Sequence, residues 1–227
     1  MSAPPHPQEH HLAVRRTARY YSLGDATARE LWFVVHGYSQ LAGRFIRRFR
    51  DIDDARRLVV APEALNRYYF ESAPGAHAAD AGVGATWMTR EDRLVEIGDY
   101  VAYLDTLHRH VAGALAAPPE RIVALGFSQG AATVARWAAQ GAARIDHVVL
   151  WAGYLPPELE PAPGLFRGAR LTWMLGRDDP YTPASKVGAI SAQLHAAGLA
   201  HELRFYDGGH RVEPAALRAL AAALRLT

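Results

Sequence analysis

Ser128 stands in the pentapeptide Gly126-Phe127-Ser128-Gln129-Gly130, a GxSxG pattern with an apolar run before it, Ile122 to Phe127, and small residues after it, Ala131, Ala132 and Ala135. A serine at a strand-to-helix turn sits in a strained backbone with its hydroxyl projecting above the sheet, and glycines two positions to either side relieve the crowding. The following helix favours negative charge at its N-terminus, where the oxygen of a tetrahedral intermediate collects. The chemistry such a serine suits is nucleophilic attack on an acyl carbon. A serine between glycines can also cap a helix; the strand before it and the helix after it favour the nucleophile.

A serine nucleophile needs a base, and eleven histidines compete for that role. On strand-turn-helix serines the chain order is serine, acid, histidine, with the histidine in a loop after the last strand. His210, in Tyr206-Asp207-Gly208-Gly209-His210, meets that order, and imidazole exchanges protons near neutral pH. His195 and His201 fall on a predicted helix and at a strand start, and read as surface residues. The carboxylate that orients the base belongs in Gly176-Arg177-Asp178-Asp179-Pro180, which offers two adjacent candidates. Asp179 is preferred because Pro180 stiffens the loop and keeps its predecessor extended. Asp178 suits a turn or a helix cap. The oxyanion donors are expected to be the backbone N–H groups of Tyr38, which follows the apolar run Leu31 to Val35, and of Gln129. The His36 side chain reads as buried and structural.

The elements that must hold these groups alternate along the chain. Strands are predicted over Leu12 to Ser22, Leu31 to Val35, Arg57 to Ala61, Ile122 to Phe127, His147 to Trp151, Leu171 to Leu175 and Glu202 to Tyr206. Helices are predicted over Ala42 to Ile52, Glu91 to Leu115, Ser128 to Gln140, Pro183 to Ala197 and Glu213 to Leu226. Such alternation implies an α/β domain with a mostly parallel, doubly wound sheet and flanking helices. One domain is expected over residues 12–227, after a disordered leader over residues 1–11.

The stretch 63–90 breaks the rhythm and is expected to border the substrate pocket, since long loops in compact domains are commonly functional. Tyr38, Tyr69, Trp87 and Met88 are its candidate substrate-binding residues, alongside Tyr68 and Phe70. Aromatics in such a loop can equally anchor it to the core.

Composition narrows the partners. A formal charge of +2 with no basic cluster longer than a pair argues against nucleic acid. No cysteine is present, which removes disulfides, thiolate nucleophiles and cysteine zinc sites. No apolar stretch approaches the roughly 18 residues of a membrane span, and the first residues lack a secretory pattern. A cytoplasmic monomer or homodimer, with a small-molecule ester as partner and no stable membrane association, is the expectation.

The segments VHGYSQ (35–40), GFSQGA (126–131), GRDDPYTP (176–183) and YDGGH (206–210) together resemble the carboxylesterase/phospholipase family of small α/β-hydrolases, which includes acyl-protein thioesterases. The resemblance implies the α/β-hydrolase fold, a cofactor-free and metal-free serine esterase, and a triad of Ser128, Asp179 and His210. It supports Asp179 over Asp178, because the family's acid also precedes proline. The chain departs at Ala131, where a second glycine is usual, and at VHGYSQ, where LHGxGD is common. Tyr38 beside the donor position argues for small to medium esters. Thioester or lysophospholipid hydrolysis on the same residues is the nearest alternative, and a noncatalytic binding protein of the same fold the more distant one.

Overall fold

The computed structural model describes residues 6–70 and 81–225. Residues 1–5 of the expected leader and residues 71–80 of the expected pocket loop lie outside the described residues. Residues 6–19 carry neither helix nor strand.

The described chain runs β1 (Tyr20–Leu23), β2 (Glu30–Val35), α1 (Ala42–Phe45), β3 (Arg57–Pro62), β4 (Asn66–Tyr69), β5 (Val83–Thr86), α2 (Arg93–Ala114), β6 (Arg121–Phe127), α3 (Gln129–Gln140), β7 (His147–Trp151), β8 (Arg170–Gly176), α4 (Ala184–Ala196), β9 (Glu202–Tyr206) and α5 (Pro214–Arg225). Seven strands form one sheet in the order β1-β3-β2-β6-β7-β8-β9. Only β1 runs antiparallel to its neighbour. From β2 the chain moves to β3 on one side and then, through β6, β7, β8 and β9, outward on the other, which is the doubly wound arrangement.

Strands β2, β3, β6 and β7 are apolar after their first residue because the sheet is covered on both faces. Leu31, Phe33 and Val35 face α2 and α3, packing with Tyr100, Val134 and Trp137. Trp32 and Val34 face the other way, into a layer made by α1, the turn after it and α5, with Phe45, Phe49, Leu217 and Leu220. The GxSxG serine follows β6, and the expected acid and base follow β8 and β9. All three therefore lie beyond the C-terminal ends of parallel strands.

Three predicted elements are corrected. The first strand is only Tyr20–Leu23, not Leu12 to Ser22; its ladder starts at Tyr20 opposite Pro62, where the partner strand ends, and Leu12 and Val14 are exposed. The helix predicted over Ala42 to Ile52 is α1 followed by a 3-10 helix, Ile46–Ile52. Ile46, Phe49 and Ile52 are all buried at a spacing of three, the repeat of that tighter helix. The segment 63–90 contains the antiparallel hairpin β4-β5, whose mixed polarity gave no strand signal.

His147, at the start of β7, is buried and its Nε2 lies 2.8 Å from Thr172 Oγ1. Burial, reinforced by Arg170, pushes this imidazole down to about 4. The unfolded chain thus binds a proton in the window between the ordinary histidine value of 6.5 and about 4 that the folded chain does not. The contribution is present above that window and lost as pH falls through it. His147→Gln should flatten the loss of unfolding free energy between pH 6.5 and pH 4 by on the order of 2 kcal/mol in urea titrations; an unchanged slope would show that His147 is not what titrates.

Candidate active site

Ser128 has φ 55° and ψ −116°, a positive φ that costs a non-glycine residue about 1–3 kcal/mol. Its backbone is held from both sides, since its N–H donates to Trp151 O at 2.8 Å and its carbonyl accepts from Ala131 N at 3.0 Å. The flanking glycines are required by contact. A Cβ on Gly126 would lie 2.0 Å from Gly130 O, and one on Gly130 would lie 2.2 Å from Val35 O. Helix α3 therefore starts directly against β2 and β6, and that approach forces the serine hydroxyl outward.

The loop after β9 brings His210 to this hydroxyl. Nε2 lies 2.9 Å from Ser128 Oγ, and Nδ1 lies 2.8 Å from Asp179 Oδ2. Asp179 is 3 % exposed, and its Oδ1 accepts the Tyr181 N–H at 2.9 Å. With Nδ1–H donating to the carboxylate, Nε2 is left to accept a hydrogen bond from the serine hydroxyl. The His210 ring is set between Phe127 and Tyr181, with centroids 4.9 and 4.8 Å away. Asp178 is exposed and uses its backbone N–H on Gly208 O at 3.1 Å, joining the β8 and β9 loops. A second serine–imidazole contact, Ser191 Oγ to His201 Nε2 at 2.7 Å, has a backbone carbonyl, Leu199 O, at Nδ1 instead of a carboxylate.

The segment 36–40 turns beside Ser128. Gly37 N–H donates to Gln40 Oε1 at 2.9 Å and Ser39 N–H to Ala85 O at 3.0 Å, while the Tyr38 N–H between them has no acceptor among the described residues. Gln129 N–H heads α3, in the first turn where N–H groups have no partner within the helix. The hairpin unseen in the sequence buttresses this segment, through the Gln40–Ala85 bridge and the Tyr68 ring 5.6 Å from that of Tyr38. His36 is fully buried, which pushes its imidazole below the ordinary value, and its Nδ1–H donates to Gly37 O at 2.8 Å while Nε2 accepts the Ala64 N–H at 3.1 Å.

A cleft of about 580 Å³ opens over Ser128 and His210. Among the expected substrate-binding residues, Tyr38 lines it and Tyr69, Trp87 and Met88 do not. Trp87 is buried, donating its indole N–H to His36 O at 2.9 Å; it anchors the loop to the core. Met88 lies against Arg136, and Tyr69 is on the outer strand of the hairpin. The cleft is also lined by the proline-rich stretch after β7, with Tyr154, Leu155, Pro156 and Pro157, and by Tyr181. Sequence reasoning missed these residues, and it also missed the Gln129 side chain. That amide accepts the Trp87 N–H at 3.1 Å and donates to Met88 O at 2.9 Å, tying the 86–88 segment to the start of α3. Among the described residues one group could offer a metal several ligands, Glu9, His11 and Asp92, and it is exposed and outside the cleft.

The family model named dienelactone hydrolase family matches residues 58–211. No curated protein sequence matches the chain. Solved structures do: esterase PE8 at 19% identity and a TM-score of 0.65, over 92% of this chain and 98% of that one. A phospholipase/carboxylesterase from Dyadobacter fermentans matches at 17% identity and 0.63, over 92% and 97%. The Bacillus cereus carboxylesterase matches at 14% identity and 0.64, over 92% and 94%. The fold is that of the α/β-hydrolases, and the class is carboxylic ester hydrolases. Within that class the chain belongs to the dienelactone hydrolase family, whose model covers about two thirds of it. No described helix is long and apolar enough to cross a membrane.

Gly126→Ala tests the contact on which the serine turn depends. It should cost about 2–3 kcal/mol as an overpacked site and lower Tm by roughly 5–10 °C for a chain of this size. A melting curve that overlays the parent would contradict the close approach of α3.

Proposed function

We propose that the chain hydrolyses small to medium carboxylic esters through a Ser128-His210-Asp179 triad and an acyl-enzyme intermediate. The observation that carries this reading is the unbroken hydrogen-bonded series from Ser128 Oγ through His210 to a buried Asp179. His210 Nε2 takes the serine proton as Oγ attacks the ester carbonyl, and Asp179 holds the ring in the required tautomer and stabilises the imidazolium. The carbonyl oxygen gathers charge beside the Tyr38 and Gln129 N–H groups, at the N-terminus of α3. His210 returns the proton to the departing alcohol. Water then repeats the sequence on the acyl-enzyme and frees the acid.

The substrate class follows from the cleft. A volume near 580 Å³ is mid-range for small-molecule sites, and Tyr38 and Tyr181, both mostly exposed, narrow its mouth on either side of the serine and histidine.

Ser128→Ala should lower kcat/KM for p-nitrophenyl butyrate by at least about a thousandfold while leaving the thermal melt intact. A fluorophosphonate probe should label the parent protein and not the variant. Near-parental turnover by Ser128→Ala would sink the assignment.

A further inference from the structure

Ser128, Ala132 and Arg136 succeed one another at intervals of four, and all three line the cleft. One face of α3 therefore floors an arm that leads away from the serine hydroxyl. Helix rise puts the Ala132 and Arg136 Cα atoms roughly 6 and 12 Å along this floor. The wall opposite is Leu155, Pro156 and Pro157. Alanine leaves the arm open, and arginine closes it.

The Arg136 side chain is only 6 % exposed. Its Nε donates to Glu158 Oε1 at 2.6 Å, and its Nη1 donates to the Tyr100 hydroxyl at 3.1 Å and lies 3.6 Å from Met88 Sδ. Long side chains on a helix lean toward its N-terminus, so the guanidinium projects back toward Ser128 and shortens the arm further. Glu158 directly follows the two prolines of the wall, and its other oxygen receives Arg93 Nη2 at 2.8 Å. Floor and wall are thus joined at the far end by two guanidinium groups on one carboxylate.

We propose that this arm receives the acyl group and that Arg136, locked by Glu158, sets the upper limit on its length. The proposal rests on the serine-esterase reading above. A short acyl chain covers Ala132, Leu155 and the prolines. A chain that reaches the end meets a guanidinium that is already buried and bonded, and can advance only by breaking its bonds to Glu158 and Tyr100, which leaves a buried charge unpaired. Arg136 takes no part in the bond-making steps; it is a specificity residue.

The test measures kcat/KM for p-nitrophenyl esters from acetyl to decanoyl and, in parallel, for acetate esters of methyl to octyl alcohols, on the parent protein, Arg136→Met and Glu158→Gln. Methionine is unbranched, apolar and adaptable, so it removes the charge and opens the end. The parent should lose activity steeply beyond short acyl chains. Arg136→Met should raise the octanoyl-to-butyryl ratio by about tenfold or more, and Glu158→Gln should shift it the same way by less, with the alcohol series unmoved. If Arg136→Met does not fold, the Glu158→Gln shift decides alone. A variant profile parallel to the parent, a parent that already prefers long acyl chains, or a shift in the alcohol series alone would overturn the inference. Fluorophosphonate labelling of Ser128 in the parent separates the two readings. A parent that labels and hydrolyses acetate esters, with a profile untouched by either variant, rejects only the length limit; a parent that does neither rejects the esterase mechanism as well.

Discussion

Helix α3 begins so close to strands β2 and β6 that no side chain fits at Gly126 or Gly130. Everything at the site depends on that approach. It places Ser128 at a positive φ, pushes its hydroxyl off the sheet, and turns the first N–H groups of α3 toward the same point. The strain is held by the buried apolar packing of α3 onto the sheet through Val134, Ala135 and Trp137. A helix with a polar inner face could not supply that compression.

The remaining groups converge because parallel strands all end on the same side. The segments after β2, β6, β7, β8 and β9 share one rim, so residues as far apart as Tyr38 and His210 line one cleft. The β8 and β9 loops are further joined through Asp178 N–H to Gly208 O and Arg177 N–H to Tyr206 O. These bonds tie the loop that carries the Asp179 carboxylate to the loop that carries the His210 ring, so the fold itself orients the imidazole. In the mechanism proposed above, orientation of this kind lowers the barrier because none of it must be established during the reaction.

The cleft joins two different physical environments. Around Ser128 the polar groups are backbone donors, one imidazole and the hydroxyl-bearing Tyr38, Tyr154, Tyr181 and Thr182, a setting suited in the proposed mechanism to a charge that appears only during reaction. At the far end of α3 the charge is permanent: burial pushes the Glu158 carboxyl up, but the Arg136 and Arg93 guanidinium groups hold it below the ordinary carboxylate range. Between them the walls are alanine, proline and aromatic carbon. The resulting shape is an apolar passage with reactive groups at one end and a fixed ion cluster at the other.

Much of this was legible in the sequence. Apolar runs report strands covered on both faces, because burial demands it residue by residue, and the strand from His147 to Trp151 lies where the pattern puts it; the edge strand from Glu202 to Tyr206 also lies where expected, although only Tyr206 in it is buried. Ser128, Asp179 and His210 could be picked out because a strand end, a proline and a glycine pair are local signals. The short β1, the 3-10 helix and the β4-β5 hairpin were not legible, since each depends on where a partner strand or a packing layer ends. The pocket wall failed for the same reason. Trp87 and Met88 directly follow β5, yet Trp87 is drawn into the core by a bond to His36 O, and the wall includes a proline-rich segment after β7. Local chain chemistry determined the candidate reacting groups and most of the strands; which side chains face the cleft was decided by long-range packing, because facing is a property of two surfaces and the sequence writes only one at a time.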